Sequence, residues 1–306
     1  MITDSPILVT GAAGQVGGVG GIVARLSLSR KVSVRAFVRR DDERAHALRL
    51  AGAEVFVGDL TRPEDVAPAL EPNPRIYFGM SVSFAYLEAA IAMAAAARVQ
   101  GGIEALVHMS QMTVSQMSLR YMTSSPQQRQ HWLAEQALDW SGLPVVHMRP
   151  TIFQENFFFL DWAAEQIRCD GTIRLPFGSG RTSPVSTQDV AEVVAAILID
   201  PAPHIGKVYE FTGPRSENMQ GLASEYAAAL GRPVQAVAVP LDEWQDKVLH
   251  AHGLPEYVYE HFLTMAKLHA ANRYDRLTSD VEGILGRPAR AIKSMVKENL
   301  EKFRTG

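Results

Sequence analysis

Glycine recurs at every third position in Gly11-Ala12-Ala13-Gly14-Gln15-Val16-Gly17, between an apolar run, Ile7–Thr10, and a helical pattern, Val19–Leu28. Glycines so placed permit a tight turn, let the backbone approach a pyrophosphate and seat the helix close on the strand. The helix N-terminus adds N–H groups and a favourable dipole for phosphate oxygens. The other reading is a glycine-rich turn that holds no ligand. The spacing departs from G-x-G-x-x-G by one residue.

The end of the second strand selects the nucleotide. An NAD site places Asp or Glu there to accept from the ribose 2′-OH, whereas this chain reads Ala36-Phe37-Val38-Arg39-Arg40. A guanidinium pairs with a 2′-phosphate through charge-assisted bonds, so NADP(H) is expected over NAD(H), with Arg39 the better placed. Against this, Asp41 and Asp42 follow and could simply neutralise both arginines. Asp59 in Gly58-Asp59-Leu60 suits the adenine amine or the cap of the next turn. Beyond the fifth strand, His108–Met122 holds four methionines, adaptable thioethers that could line a pocket for planar substrates or fill core. Phe153, Phe157, Phe158, Phe159 and Trp162 could form an opposite wall, although most are expected to pack a hinge between domains.

These groups need a scaffold. Ile7–Thr10, Val32–Val38, Val55–Val57, Ile76–Met80, Ala105–Met109 and Val145–Met148 read as strands, with helical signals between them such as Pro63–Ala67 and Ala85–Ala97. Parallel strands need crossovers, so this rhythm predicts an α/β doubly wound parallel sheet. After Pro150 it gives way to an aromatic stretch, a Gly/Pro segment at 171–184, helix Asp189–Ile199, strand Lys207–Phe211 and then mostly helix. The expected organisation is a dinucleotide-binding domain over 1–152, to which 184–213 returns, and a smaller, mostly helical substrate domain over 153–183 and 214–306.

Composition excludes several classes. With 30 Lys+Arg against 33 Asp+Glu, no basic footprint for nucleic acid exists. No apolar run reaches the roughly 20 residues that span a bilayer, so no membrane partner and a cytoplasmic location are expected. The single cysteine, Cys169, cannot build a thiolate metal cluster and reads as filler on a helix; no metal is expected. Helix Asp189–Ile199 and the C-terminal helices could form a homodimer interface.

Thr10–Gly17, Val38-Arg39, Gly58-Asp59-Leu60, Arg149–Asn156, Ser186–Ala191, Gly206–Gly213 and Asp280–Pro288 together resemble the NmrA-like branch of the atypical short-chain dehydrogenases/reductases over nearly the whole chain. The resemblance implies a Rossmann fold and NADP(H) held by Gly11, Ala13, Gly14, Gln15, Val16, Arg39, Asp59, Leu60, Ser81, His131, Pro150 and Phe153. It implies either a flavin-free NADPH-dependent reductase of quinones, azo dyes or triphenylmethane dyes, or an NADP-sensing regulator.

Ordinary members of the wider superfamily carry Tyr and Lys four apart on one helix. The corresponding helix here starts at Ser125-Pro126-Gln127-Gln128, with Ser125 as cap and Gln128 closing a capping box. The family pattern puts Gln127 at the Tyr position and His131 at the Lys position, so the dyad is missing. His131 could bind the ribose or supply a proton, or could be an ordinary helix histidine. Reducing an unactivated ketone builds a strongly basic alkoxide, whereas a quinone, azo bond or cationic dye gives a delocalised, weaker base; such small aromatic acceptors are therefore expected. A nucleotide-sugar epimerase would lean on the same absent dyad. Ser110 and Tyr121 join His131 as candidate catalytic residues, and Met109, Met112, Phe153, Asn156 and Phe157 as candidate pocket lining.

Overall fold

The computed structural model describes residues 6–14 and 18–304, in two compact units: 1–149 with 190–210, and 150–189 with 211–306. β1 (Ile7–Thr10), β2 (Val34–Val38), β3 (Glu54–Val57), β4 (Arg75–Phe78), β5 (Ala105–Met109), β6 (Val145–Pro150) and β8 (Val208–Phe211), all of the first unit except the last residues of β6 and β8, form a seven-stranded sheet of order β3-β2-β1-β4-β5-β6-β8. Every pairing from β3 to β6 is parallel. All four residues of β1 and of β4 are buried, as unbroken strands do when helices cover both faces. The order reverses between β1 and β4, the switch point at which doubly wound sheets open a crevice.

Two strands are shorter than the sequence suggests. Val32 belongs to the close of α1 (Val19–Ser29): its N–H bonds Ser27 O at 3.1 Å, after Lys31 turns left-handed at φ 63°. Gly79 leaves the ladder because its N–H bonds the Thr10 hydroxyl at 2.9 Å, and that hydroxyl donates to Gly79 O at 2.7 Å. The remaining helices of this unit are α2 (Glu43–Leu50), α3 (Pro63–Leu70), α4 (Tyr86–Gln100) and α5 (Pro126–Trp140). Alanines fill the buried face of α4, so α3 and α5 approach it closely. Ser125 caps α5, accepting from Gln128 N at 3.3 Å, but the expected capping box is not closed. The Gln128 amide is fully buried and has no hydrogen-bond partner among the described residues.

The second unit holds α6 (Asp161–Asp170), a two-stranded parallel sheet of β7 (Thr172–Leu175) and β9 (Gln235–Ala238), and α8 (Met219–Leu230), with further helices toward the C-terminus. Helix α7 (Thr187–Ile199) and strand β8 (Val208–Phe211) each begin in one unit and end in the other. Gly171 and Gly231 stop α6 and α8 in the left-handed region, at φ 75° and 68°. Phe158, Phe159, Trp162, Phe177, Trp244 and Phe262 form one aromatic core. Cys169 lies on α6 and is exposed.

His269 is sandwiched in that core between Phe177 and Tyr274, with centroids 4.0 Å away on both sides and planes within 10°. Its Nδ1 meets Met265 O at 2.7 Å and its Nε2 meets the Thr182 hydroxyl at 3.2 Å. Burial pushes its pKa down to about 3. The folded state therefore lacks a proton that the unfolded chain takes up below about pH 6.5, and stability from this group falls as pH drops toward 3. Each pH unit in that window is expected to cost up to about 1.4 kcal/mol. Urea unfolding of wild type and His269→Gln between pH 7 and 4 should show a steeper acid slope in wild type; parallel slopes would refute this.

Candidate cofactor and active site

The carboxyl ends of β1, β2, β3 and β4 border a groove of about 690 Å³, within the usual range of cofactor sites. Gly11, with φ 64°, opens its floor: a Cβ there would lie 2.6 Å from Gly79 O. Gly14 N bonds Gly11 O at 3.0 Å, closing the turn. Gln15, Val16 and Gly17 lie outside the described residues. Close helix packing falls on Gly20 and Gly21, whose Cβ atoms would stand 2.6 Å from Thr10 O and 2.8 Å from Ala12 O. Gly11→Ala is expected to cost more than about 1–2 kcal/mol in urea unfolding, because a clash adds to the left-handed penalty. Gly18→Ala, at φ 53° with no described residue within 4 Å of the added Cβ, should show only that penalty. Equal losses would refute the contact argument.

Helix α1 begins at Gly18 with no side-chain cap and no acidic residue in its first turn, which favours an anion at its N–H groups. Arg39 and Arg40 line the groove exposed, and among the described residues neither has an ion-pair partner. Neutralisation by Asp41 and Asp42 is not what occurs. Asp41 binds Arg49 at 2.6 and 3.0 Å, while Asp42 caps α2 and holds Arg44. Arg44, unnoticed in the sequence, also donates to Ala13 O at 2.7 Å, tying α2 to the glycine turn. Asp59 does cap the next turn: its Oδ1 accepts from the Thr61 N–H and hydroxyl at 2.9 and 2.8 Å. Those bonds, with weaker contributions from Arg39 and Arg62, hold its carboxyl below the usual range.

The groove thus gathers Gly11, Ala13, Gly14, Arg39, Asp59, Leu60 and Ser81. His131 is placed otherwise. It is buried, its Nε2 2.8 Å from the Gln127 amide and its ring centroid 3.9 Å from that of Tyr86. Ser110, just past β5, is buried, and its hydroxyl has no partner among the described residues. Tyr121 is half exposed in a turn bridged to Ser118. Met112 is buried and Met109 half-buried.

Pro150, Phe153, Asn156 and Phe157 belong to the second unit. Phe153 bridges to Val185, and Asn156 Oδ1 accepts from Phe158 N at 3.1 Å. Phe157 stacks on Trp162 at 5.7 Å. The expected hinge role for the aromatic stretch is corrected: Phe158, Phe159 and Trp162 are core of that unit, with Phe157 packed against it. Among the described residues no cluster of His, Cys, Asp and Glu is placed to hold a metal ion, and no helix is long and apolar enough to cross a membrane.

A doubly wound sheet of this strand order, with a glycine-floored groove at its switch point, defines a Rossmann-type dinucleotide-binding fold. More particularly, the chain belongs to the NmrA-like family, whose profile matches residues 3–303. It is 28% identical to the NAD(P)H azoreductase of Xenophilus azovorans, over 97% of this chain and 99% of that one. The fold is that of Citrobacter sp. triphenylmethane reductase complexed with NADP(H), with a TM-score of 0.81, 23% identity and coverage of 95% and 99%. It is also that of NmrA, a negative transcriptional regulator solved with NADP, with a TM-score of 0.81, 17% identity and coverage of 98% and 97%.

Proposed function

We propose that this protein is an NADPH-dependent reductase of electron-poor conjugated acceptors, of the quinone, azo-dye or triphenylmethane-dye kind. The carrying observation is the groove itself, where two arginines without ion-pair partners among the described residues stand beside a glycine turn and the N-terminus of α1, whose N-cap is a glycine. These residues fit NADP(H): the turn and α1 would take the pyrophosphate, Arg39 the 2′-phosphate, and Asp59 and Leu60 the adenine edge. When bound, the cofactor supplies a hydride.

What the chain adds is orientation and a donor for the charge left on the acceptor. Ser110, buried just past the end of β5 with a hydroxyl that has no partner among the described residues, is suited to donate to an acceptor oxygen. The reading needs neither flavin nor metal. It is supported by kinship with an azoreductase over the whole chain.

One observation favours a second reading, an NADP-sensing regulator: the positions of the usual Tyr and Lys hold Gln127 and His131, bonded to each other inside the protein. Calorimetry with NADPH and NADH, followed by nicotinamide absorbance with menadione and an azo dye, separates the two. Tight NADPH binding with acceptor-dependent oxidation is the expected result. Tight binding without oxidation for any quinone, azo or triphenylmethane acceptor would overturn the reductase in favour of the sensor.

A further inference from the structure

The peptide between Ala13 and Gly14 is held on both sides. Its N–H, from Gly14, donates to Gly11 O at 3.0 Å, and its carbonyl, from Ala13, accepts from Arg44 Nη1 at 2.7 Å. Arg44 stands in the first turn of α2, which the parallel pairing of β2 with β1 brings beside the glycine turn. The guanidinium is itself anchored. Its Nε donates to Asp42 Oδ2 at 3.0 Å, and its second terminal nitrogen donates to the same oxygen. Asp42 Oδ1 meanwhile accepts from the Arg44 and Ala45 N–H groups at 3.0 and 3.2 Å, capping α2. A helix cap, a guanidinium and the carbonyl of the turn thus form one chain of bonds, and Ala13, Gly14, Asp42 and Arg44 all line the groove.

Glycine takes either sign of φ, so Gly14 alone would let this peptide flip. A flip breaks the bond from Gly14 N to Gly11 O and exchanges the directions of an N–H dipole and a carbonyl dipole. The first attracts a phosphate and the second repels it. Arg44 opposes the flip by holding the oxygen from the α2 side, and it sets a positive charge against that oxygen. The turn is therefore ordered before a ligand arrives, and binding loses less conformational freedom.

We propose that Arg44 is the positioning residue of the pyrophosphate subsite: it touches no phosphate, and acts through Ala13 by fixing the turn that does. This rests on the reading of the groove as a dinucleotide site and is independent of turnover. Two arginines of one groove then have separate tasks. Arg39 selects NADPH over NADH, whereas Arg44 raises the affinity for both by the same factor, because both carry the pyrophosphate. Adenosine 2′-monophosphate, which has the 2′-phosphate and no pyrophosphate, gains nothing from Arg44.

The test is calorimetry of the full chain with NADPH, NADH and adenosine 2′-monophosphate, on wild type and on the double variant Asp42→Asn, Arg44→Met. The double variant removes one charge of each sign, so the net charge of the groove is kept. Asparagine still caps α2, and no carboxylate is released to capture Arg39 or Arg40. NADPH and NADH are expected to weaken by equal factors of about tenfold, with adenosine 2′-monophosphate bound as in wild type. Weakening of all three marks general damage to the groove and overturns the assignment. A loss confined to NADPH and adenosine 2′-monophosphate makes Arg44 a ligand of the 2′-phosphate and overturns it too. Three unchanged affinities in a protein that binds both dinucleotides overturn the clamp alone. A wild type that binds neither dinucleotide overturns the groove reading and the clamp together, and one that binds both but reduces no acceptor overturns only the reductase.

Discussion

Arg39→Ala is expected to weaken NADPH binding by about 10- to 100-fold while leaving NADH binding unchanged. A hydrogen bond to a charged group contributes about 1.5–3 kcal/mol, and each 1.4 kcal/mol is about tenfold in affinity. Arg39 can deliver such a bond because its neighbours do not compete for it: Asp41 is held by Arg49 and Asp42 by Arg44 and the first turn of α2. The guanidinium meets a 2′-phosphate without first giving up an ion pair. Calorimetry with both nucleotides is the check, and equal weakening of NADPH and NADH would remove Arg39 from the 2′-phosphate.

Arg149→Met is expected to destabilise the protein by about 3–5 kcal/mol, the cost of stranding a buried charge. Glu135, with a side chain only 2% exposed, receives Arg149 Nε at 2.9 Å and a second guanidinium nitrogen at 2.5 Å. The two substitutions are unequal. Without arginine the carboxylate stays dry; with Glu135→Gln the guanidinium, already 19% exposed and 3.8 Å from Glu210, can turn to water and to that neighbour. Urea unfolding of both variants should place the larger loss on Arg149→Met, and equal losses would contradict the argument.

Much of this was legible in the sequence where chemistry is local. An apolar run, a glycine turn and a helix start are adjacent in the chain, so β1, the turn at Gly11 and α1 could be read together. Arg39 could be read for the same reason, standing at a strand end. What escaped was set by pairing between distant segments. Arg44 stands 31 residues from Ala13, and only the pairing of β2 with β1 brings the two together. The aromatic stretch was misplaced because a run of rings says how much it will bury but not against what; Phe177, Trp244 and Phe262 answer that from far along the chain. Asp42 illustrates an ambiguity settled by geometry, since a carboxylate beside two arginines went instead to its own helix cap.

One feature of α4 reaches beyond its own stability. Its cap residue, Ala85, offers no side-chain acceptor, and the need is met from the neighbouring helix. Gln127 Oε1 accepts from Ser83 N at 3.2 Å and Gln130 Oε1 from Leu87 N at 3.1 Å. These bonds tie the groove-rim loop to the first turns of α4 and α5, and the three are expected to open as one cooperative unit. A ligand that orders Ser81–Ser83 would slow amide exchange at Leu87 and along the start of α5 as well, carrying occupancy of the groove to a helix that the nucleotide need never touch.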